Sequence, residues 1–417
     1  SSLLPSNPNR SLLVHSLVAS LGLLRTTPDS SADANIRVLR PPPATPKELA
    51  AYHDKDYISF LLDPALPSSA FDPQTQSKLA DFGLEDDCPP FRGLPEYVQS
   101  VAGASLAAAR ALAQDSCDVS ICWDGGRHHA HKARASGFCY VNDCVLALLS
   151  LKRAPVPSPP SAAAAAPPRK PRIMYLDLDL HFSDGVSSAF HTPTPTSPSP
   201  SPSPSPASAP TPAPQFLTLS LHHAAPGFFP PSPLSALPTS TSDPFTLSLP
   251  LRPGASPATL RRVWLGPVER VASAFKPDYL VLQCGADALA GDPCAVANGA
   301  LGGPGGLGWC VHRALRQWHV KTLLLGGGGY DSPNAARAWA YLTSIALDAP
   351  LPLDTPIPDR AHAAFPLYAP AFTLDVPASA HRPDENTSAY LDHVERVFDA
   401  VVQRIEARVA GAGASAR

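Results

Sequence analysis

The sequence predicts an α/β fold with helices on both faces of a central, mostly parallel sheet, and three observations lead there. Six short apolar runs read as strands: residues 119–123, 172–180, 216–222, 245–251, 279–285 and 321–325. Helical patterns separate them, the alternation that parallel strands joined by crossovers require. Two of the runs, Arg172-Ile-Met-Tyr-Leu-Asp177 and Tyr279-Leu-Val-Leu-Gln-Cys-Gly-Ala-Asp287, have apolar interiors and end in carboxylates. Continuous apolar runs mark strands buried on both faces, so their closing charges gather at one edge of the sheet.

Length and composition fit this architecture. The chain has 417 residues, 44% of them hydrophobic, enough for one large domain spanning 1–417. Its 52 prolines are unevenly spread, and residues 154–171, 192–214 and 230–244, dense in them, read as flexible or polyproline-like loop inserts. The first two follow a helix and precede a strand, which puts them at the amino-terminal edge, away from where ligands bind in such sheets. The third follows strand 216–222 and belongs near the rim of the ligand side. Among the helices, Thr45-Pro46-Lys47-Glu48 is a capping box with proline at the first helical position. A last helix over about Thr387 to Val409 repeats apolar residues at Leu391, Val394, Phe398, Val401, Val402 and Ile405, and is expected to stop at Gly411.

Charge and cysteine usage narrow the function classes. A net charge of -3 with no basic stripe argues against direct nucleic-acid binding. The eight cysteines form no C-x-x-C pair, and several lie in apolar runs, so reduced thiols are expected. No stretch reaches the ~20 apolar residues of a membrane span, and Ser1-Ser-Leu-Leu-Pro lacks a basic region followed by an apolar core. The expected location is nucleus or cytoplasm.

The strand ends carry the chemistry. Asp177, Asp179 and His181 recur at period two where an apolar strand ends, which would turn them to one side. Leaving one such charge buried and unpaired would cost several kcal/mol, so a bound cation or a tight set of partners is required. Asp287 closes the second run and supplies another carboxylate. Two carboxylates and one histidine leave a coordination position for water, as a catalytic metal site does. With His128-His129 and Tyr330, the set reads as one hydrolytic metal site.

Seven motifs then occur in order: Trp123-Asp-Gly-Gly-Arg-His128-His129-Ala; Ala135-Ser-Gly137-Phe138-Cys139-Tyr140-Val-Asn-Asp143; Asp177-Leu-Asp179-Leu-His181; Leu219-Ser220-Leu221-His222; Pro226-Gly-Phe228-Phe229-Pro230; Gly285-Ala-Asp287-Ala-Leu-Ala-Gly-Asp-Pro293; and Leu325-Gly-Gly-Gly-Gly329-Tyr330. Together they resemble the zinc-dependent histone deacetylases of class I type, from about Arg10 to His381. The resemblance implies the three-layer αβα arginase/deacetylase fold with an eight-stranded sheet. It implies hydrolysis of acetylated lysine side chains in a protein or peptide such as a histone tail, and a place in a corepressor complex.

The resemblance also assigns roles. Asp179, His181 and Asp287 would bind zinc, with iron as an alternative. Tyr330 would donate to the oxyanion, and His129 would move the proton with His128 as electrostatic partner. Asp177 and Asp184 would orient His128 and His129. Gly137, Phe138, Phe229 and Cys294 would wall a narrow channel, Asp87 would hold the substrate backbone at its rim, and Arg10 would flank an inner cavity. A structural potassium ion would lie near Asp177, Asp179, His181, Ser220 and Leu221.

Some residues depart from the family pattern. His181-Phe182-Ser183-Asp184-Gly185 stands where His-His-Gly-Asp-Gly is usual, so Ser183 is expected to strain the turn and displace Asp184. Arg127 and Arg134 are expected to lower the basicity of His129. Three other readings compete with protein deacetylation. One is a deacetylase of polyamines or other small amines, another a binuclear manganese ureohydrolase, and the third a non-catalytic corepressor subunit docking through its Pro/Ser-rich loops.

Overall fold

The computed structural model describes residues 8–24, 36–66, 73–157, 169–192, 214–360, 362 and 364–414. Its six strands are β1 (Val119–Cys122), β2 (Ile173–Asp177), β3 (Phe216–His223), β4 (Thr246–Leu251), β5 (Tyr279–Gln283) and β6 (Lys321–Leu325). They form one sheet in the order β1-β6-β5-β2-β3-β4, and every pairing is parallel. All six expected strands are present. The eight implied by the family are not reached among the described residues: Ile36–Leu39, though apolar in pattern, joins no ladder, and Val38 and Leu39 are 69% and 51% exposed.

Strand order explains where a site can form. From β2 the chain proceeds outward through β3 and β4, then returns to lay β5 on the other side of β2 and β6 beyond it. The direction of winding reverses between β2 and β5, and in parallel sheets the crevice beyond the carboxyl ends at such a reversal takes the ligand. Asp177 pairs with Gln283 across that junction. The loops after β2 and β5 therefore leave side by side.

Every residue of β2 and of β5 is buried, as apolar strands covered on both faces should be. One core face gathers Met174, Leu176, Leu280, Leu282 and Leu324 with Trp264, Trp339 and Phe398. The other gathers Ile173, Tyr175, Val281 and Leu323 with Leu148 and Leu151. On the first face the helix Pro8–Ser20 packs against Ser332–Ala346, and Trp123 stacks on Trp339 with centroids 5.8 Å apart. A satellite core around Leu49, Tyr57, Leu94 and Tyr140 supports the loop after β1.

Local expectations meet mixed outcomes. The capping box forms: Glu48 N–H donates to Thr45 Oγ1 at 3.2 Å and Thr45 N–H to Glu48 Oε2 at 2.7 Å. The last helix runs Ser388–Ala414 and passes through Gly411, where a stop was expected. A glycine costs a helix interior only about 1 kcal/mol, too little to end it alone. Segment 230–244, expected to be loose, folds against the sheet through a 3-10 turn at Pro233–Ser235, with Ser248 Oγ donating to Leu234 O and Ser235 O 3.0 Å from His222 Nε2. Residues 158–168 and 193–213 of the other two inserts lie outside the described residues. Their flanks follow the helices Asp143–Leu151 and Asp184–Phe190 and precede β2 and β3, at the sheet edge opposite the crevice. All eight cysteines are free thiols.

Candidate active site

Five strand ends contribute to one pocket. β2 stops at Asp177, earlier than expected, and residues 178–183 form a loop whose backbone is held by the carboxylates within it. Asp177 Oδ1 accepts Asp179 N–H at 2.9 Å, and Asp179 Oδ1 accepts His181 N–H at 3.0 Å. The period-two spacing thus serves a turn in which each acidic side chain caps the next donor but one. Asp287, from the loop after β5, accepts Leu180 N–H at 3.0 Å and ties the two loops together.

Asp179, His181 and Asp287 can hold a metal ion, their ligand atoms all lying within 4.8 Å of one another. His181 Nδ1 is 2.9 Å from Asp287 Oδ2 and 3.2 Å from Asp179 Oδ1. The donor set draws positive charge. Burial together with the Asp179 charge pushes the Asp287 carboxyl up to about 7, while both carboxylates, against burial, drive His181 far toward protonation. A cation relieves both effects at once. Space fits as well: a Cβ at Gly285 would sit 2.4 Å from Asp179 Oδ2, and one at Gly328 would sit 2.1 Å from Asp287 Oδ2. These residues fit a divalent cation.

The loop after β1 brings His128 and His129 beside this set. Their Nε2 atoms are 3.0 Å apart. His128 Nδ1 lies 2.8 Å from Asp177 Oδ2 and His129 Nδ1 2.8 Å from Asp184 Oδ1, so each ring keeps a carboxylate on its far nitrogen. Both rings are buried, yet they shift in opposite directions. Burial pulls His128 down, but Asp177 and Asp179 outweigh it and raise it to about 9. His129 falls to about 4 through burial and the charge of His128.

This arrangement corrects two expectations. The lowered basicity of His129 comes from burial and its neighbour, whereas Arg127 is occupied elsewhere, its Nη2 donating to Asp124 O. Ser183 lies at φ -76°, in ordinary backbone space, and Asp184 is in place. Phe182 is buried with its ring 4.7 Å from His222.

The residues expected to wall a channel stand beside these groups. Gly137 has φ +55°, and a Cβ there would lie 2.5 Å from the His129 ring and 2.9 Å from Phe229, so conformation and space both demand glycine. Phe229 meets His129 edge-on at 4.9 Å, and Phe138, itself at φ +64°, faces Tyr330 at 6.3 Å. Tyr330 stands 6.1 Å from the His181 ring, its backbone N–H held by Asp292 at 2.8 Å. Burial and the charges of Asp287 and Asp179 keep its hydroxyl well above the usual phenol range. Cys294 adjoins His181 through its side chain.

Two predicted residues sit further back. Asp87 accepts Gly137 N–H at 2.9 Å, so one of its oxygens already fixes the channel wall. Arg10 is buried with Nη1 donating to Gly329 O at 3.0 Å and its guanidinium 5.1 Å from the Trp339 ring. Asp177 and Ser220, named for potassium, are register partners, Asp177 at the end of β2 and Ser220 within β3, with Leu221 next in the chain.

Several contributors were given no role by the sequence. Gln283 donates to Asp179 Oδ2 at 2.8 Å. Phe228 stacks on His181 at 5.2 Å, nearly parallel. Asn142 Nδ2 donates to Ala130 O at 2.8 Å, and Asp143 accepts Gly126 N–H and Arg127 N–H at 2.9 and 2.7 Å, so this pair grips both sides of the histidine loop. The one available signal was polarity out of place: a glutamine inside the run Leu-Val-Leu-Gln-Cys, and Asn-Asp opening an apolar helix.

A parallel sheet whose carboxyl edge collects an Asp-His-Asp metal set and a carboxylate-backed histidine pair defines a protein of the deacetylase fold. Comparison with known proteins agrees. The model of the histone deacetylase domain matches residues 4–346. Histone deacetylase 8 of Xenopus tropicalis is 34% identical over 388 residues, covering 93% of this chain and 90% of that protein. Histone deacetylase 8 of Danio rerio is 35% identical over 395 residues, covering 94% and 89%. Histone deacetylase 2 of Oryza sativa subsp. japonica is 34% identical over 391 residues, covering 94% and 66%. The chain belongs to the histone deacetylase family.

Proposed function

We propose that this protein is a zinc-dependent lysine deacetylase that hydrolyses the side-chain amide of acetyl-lysine in proteins such as histones. The observation that carries the reading is the meeting of three groups in one pocket: the Asp179-His181-Asp287 set, the His128-His129 pair and Tyr330. A divalent ion held by the first group would polarise the acyl oxygen and acidify water, which an unreactive amide needs.

The remaining work falls to the chain's own residues. His129, neutral at physiological pH because its basicity is depressed, takes a proton from water and returns it to the leaving amine. His128, whose proton is held by Asp177, supplies fixed positive charge beside it. This is the pattern of paired groups whose environments push them apart. Tyr330 donates its hydroxyl to the oxyanion, a task its raised pKa suits by keeping the proton on. Gly137, Phe138 and Phe229 enclose the apolar stem of the lysine, Cys294 lines the wall near His181, and Asp87 and Arg10 serve the rim and the inner end. A structural potassium ion belongs beside Asp177, Asp179, His181, Ser220 and Leu221 in the same reading.

No helix among the described residues is long and apolar enough to cross a membrane. A nuclear or cytoplasmic protein acting on acetylated protein, within a corepressor complex, is the setting we propose. The test is turnover of an acetyl-lysine peptide and of acetylspermidine by metal-loaded enzyme, with and without chelator. Chelator-sensitive release of acetate from the peptide supports the proposal. Activity on acetylspermidine alone would transfer the assignment to small amines, and no activity on either would leave a non-catalytic subunit as the better account.

A further inference from the structure

Asp184 serves two imidazoles. Its Oδ1 lies 2.8 Å from His129 Nδ1, and its Oδ2 lies 3.1 Å from His131 Nε2. The two rings differ in surroundings: the His129 side chain is 6% exposed and that of His131 is 36% exposed. One face of this carboxylate meets the reaction and the other meets solvent.

His131 is itself anchored. Its backbone N–H donates to Arg134 O at 2.8 Å, closing a small bridge that fixes the root of the side chain. Its other ring nitrogen lies 3.3 Å from Ser188 Oγ, and that hydroxyl donates to Asp184 O at 2.5 Å. The ring therefore lies across the first turn of the helix Asp184–Phe190, with Nε2 on the Asp184 carboxylate and Nδ1 beside Ser188. Its ring meets Asp184 and Ser188 and its backbone meets Arg134 and His53, none of them a channel residue.

We propose that His131 is a positioning residue for the deacetylation reaction, acting as a second hydrogen-bond donor that fixes the plane of the Asp184 carboxylate against His129. The inference rests on the assignment of His129 as the proton-transfer base. The terminal torsion of an aspartate is broad, so a carboxylate with one partner rocks, whereas donors on both oxygens hold it in one plane. Rocking at Asp184 would be passed to the His129 ring, whose Nε2 must stay on the reacting side. Catalysis is steep in such displacements, about 100-fold for 1 Å. Because His131 stands outside the channel, its loss should lower kcat and leave KM alone.

The experiment compares His131→Ala and His131→Gln with wild type, measuring kcat, KM, bound metal and Tm, with His129→Ala in parallel. His131→Ala is expected to lower kcat on the order of tenfold, the lower end of what outer partners of active-site groups contribute. KM and metal content should stay at wild-type values. His131→Gln keeps an N–H donor in the place of Nε2 and should restore most of the rate. Wild-type kcat in His131→Ala, a glutamine variant no better than alanine, or a fall in Tm that accounts for the fall in rate would each overturn the proposal. His129→Ala separates the two layers of argument. Full activity there removes the assignment of the base, whereas an inactive His129→Ala beside a fully active His131→Ala removes the role of His131 alone.

Discussion

The two halves of the pocket are built by different means. On the metal side, Asp179 Oδ2 accepts Gly328 N–H at 2.7 Å, Asp179 Oδ1 accepts His181 N–H, and Asp287 Oδ1 accepts Leu180 N–H. Mostly backbone fixes these carboxylates, with Gln283 adding a side-chain donor to Asp179, and glycines at 285 and 328 leave no room for drift. On the histidine side, side chains hold side chains: Tyr175 donates to Asp177 at 2.5 Å, Asp177 meets His128, and Asp184 meets both His129 and His131. A backbone-built half is set by the fold and fails as a unit. The half built from side chains can be adjusted one residue at a time, so its losses should be graded.

The largest expected effect tests the first part of that contrast. Asp179→Ala removes a proposed ligand that also caps the His181 amide, so bound metal and turnover should disappear together. Metal analysis alongside an activity assay checks it; an active, metal-free variant would break the contrast at its root. Next comes Tyr330→Phe, which removes one donor and touches no ligand. A fall of about 10²- to 10³-fold in kcat with metal retained is expected, as for the loss of a single oxyanion donor. If metal were lost as well, the two halves would not be separable.

Gly328→Ala probes the cradle itself. The added methyl would meet Asp287 Oδ2 at 2.1 Å, so the carboxylate must shift. Metal affinity should fall by roughly 10- to 100-fold, the range seen when the support of a ligand is disturbed. Titration of the variant with a competing chelator measures it. Unchanged affinity would mean that the glycines answer to chain packing rather than to the ligands.

The same division decides what the sequence made legible. Buried parallel strands leave long apolar runs, so β2 and β5 and the acidic residues that end them stand out, and Asp179, His181 and Asp287 were readable from them. The gripping residues were not. His53 donates to Lys132 O and accepts from Asn142 N–H, a partner 89 positions away. No local pattern records such a pairing, and a single polar residue amid apolar ones, like Gln283, looks the same whether it packs or supports a ligand. Proline misled in the other direction, because it excludes helix and strand interiors but not a packed turn like that at Pro233–Ser235. The turn at Ser183 shows the remaining limit: a motif records which residue is usual, whereas the φ of -76° shows that this backbone does not need glycine.

The last expected effect concerns how the histidine half is braced, and it is read in stability. His53 is 2% exposed, and burial, only partly offset by its hydrogen bond to Lys132 O, lowers it from 6.5 to about 4. The neutral ring satisfies both nitrogens, with Nδ1–H donating to Lys132 O at 3.1 Å and Nε2 accepting Asn142 N–H at 2.9 Å. Protonation would set a second N–H against the Asn142 amide. Because the folded pKa lies below the unfolded one, the unfolded chain takes up the proton first as pH falls. This contribution is therefore intact above about 6.5 and is lost as pH drops toward about 4, a change on the order of 3 kcal/mol at most. Denaturant unfolding at several values across that window, for wild type and His53→Gln, isolates the term, since other titrating groups are common to both proteins. Wild type should lose stability more steeply than the variant on acidification. Parallel slopes would mean that His53 is not held neutral in the folded chain, and that the histidine loop is braced by Asn142 and Asp143 without it.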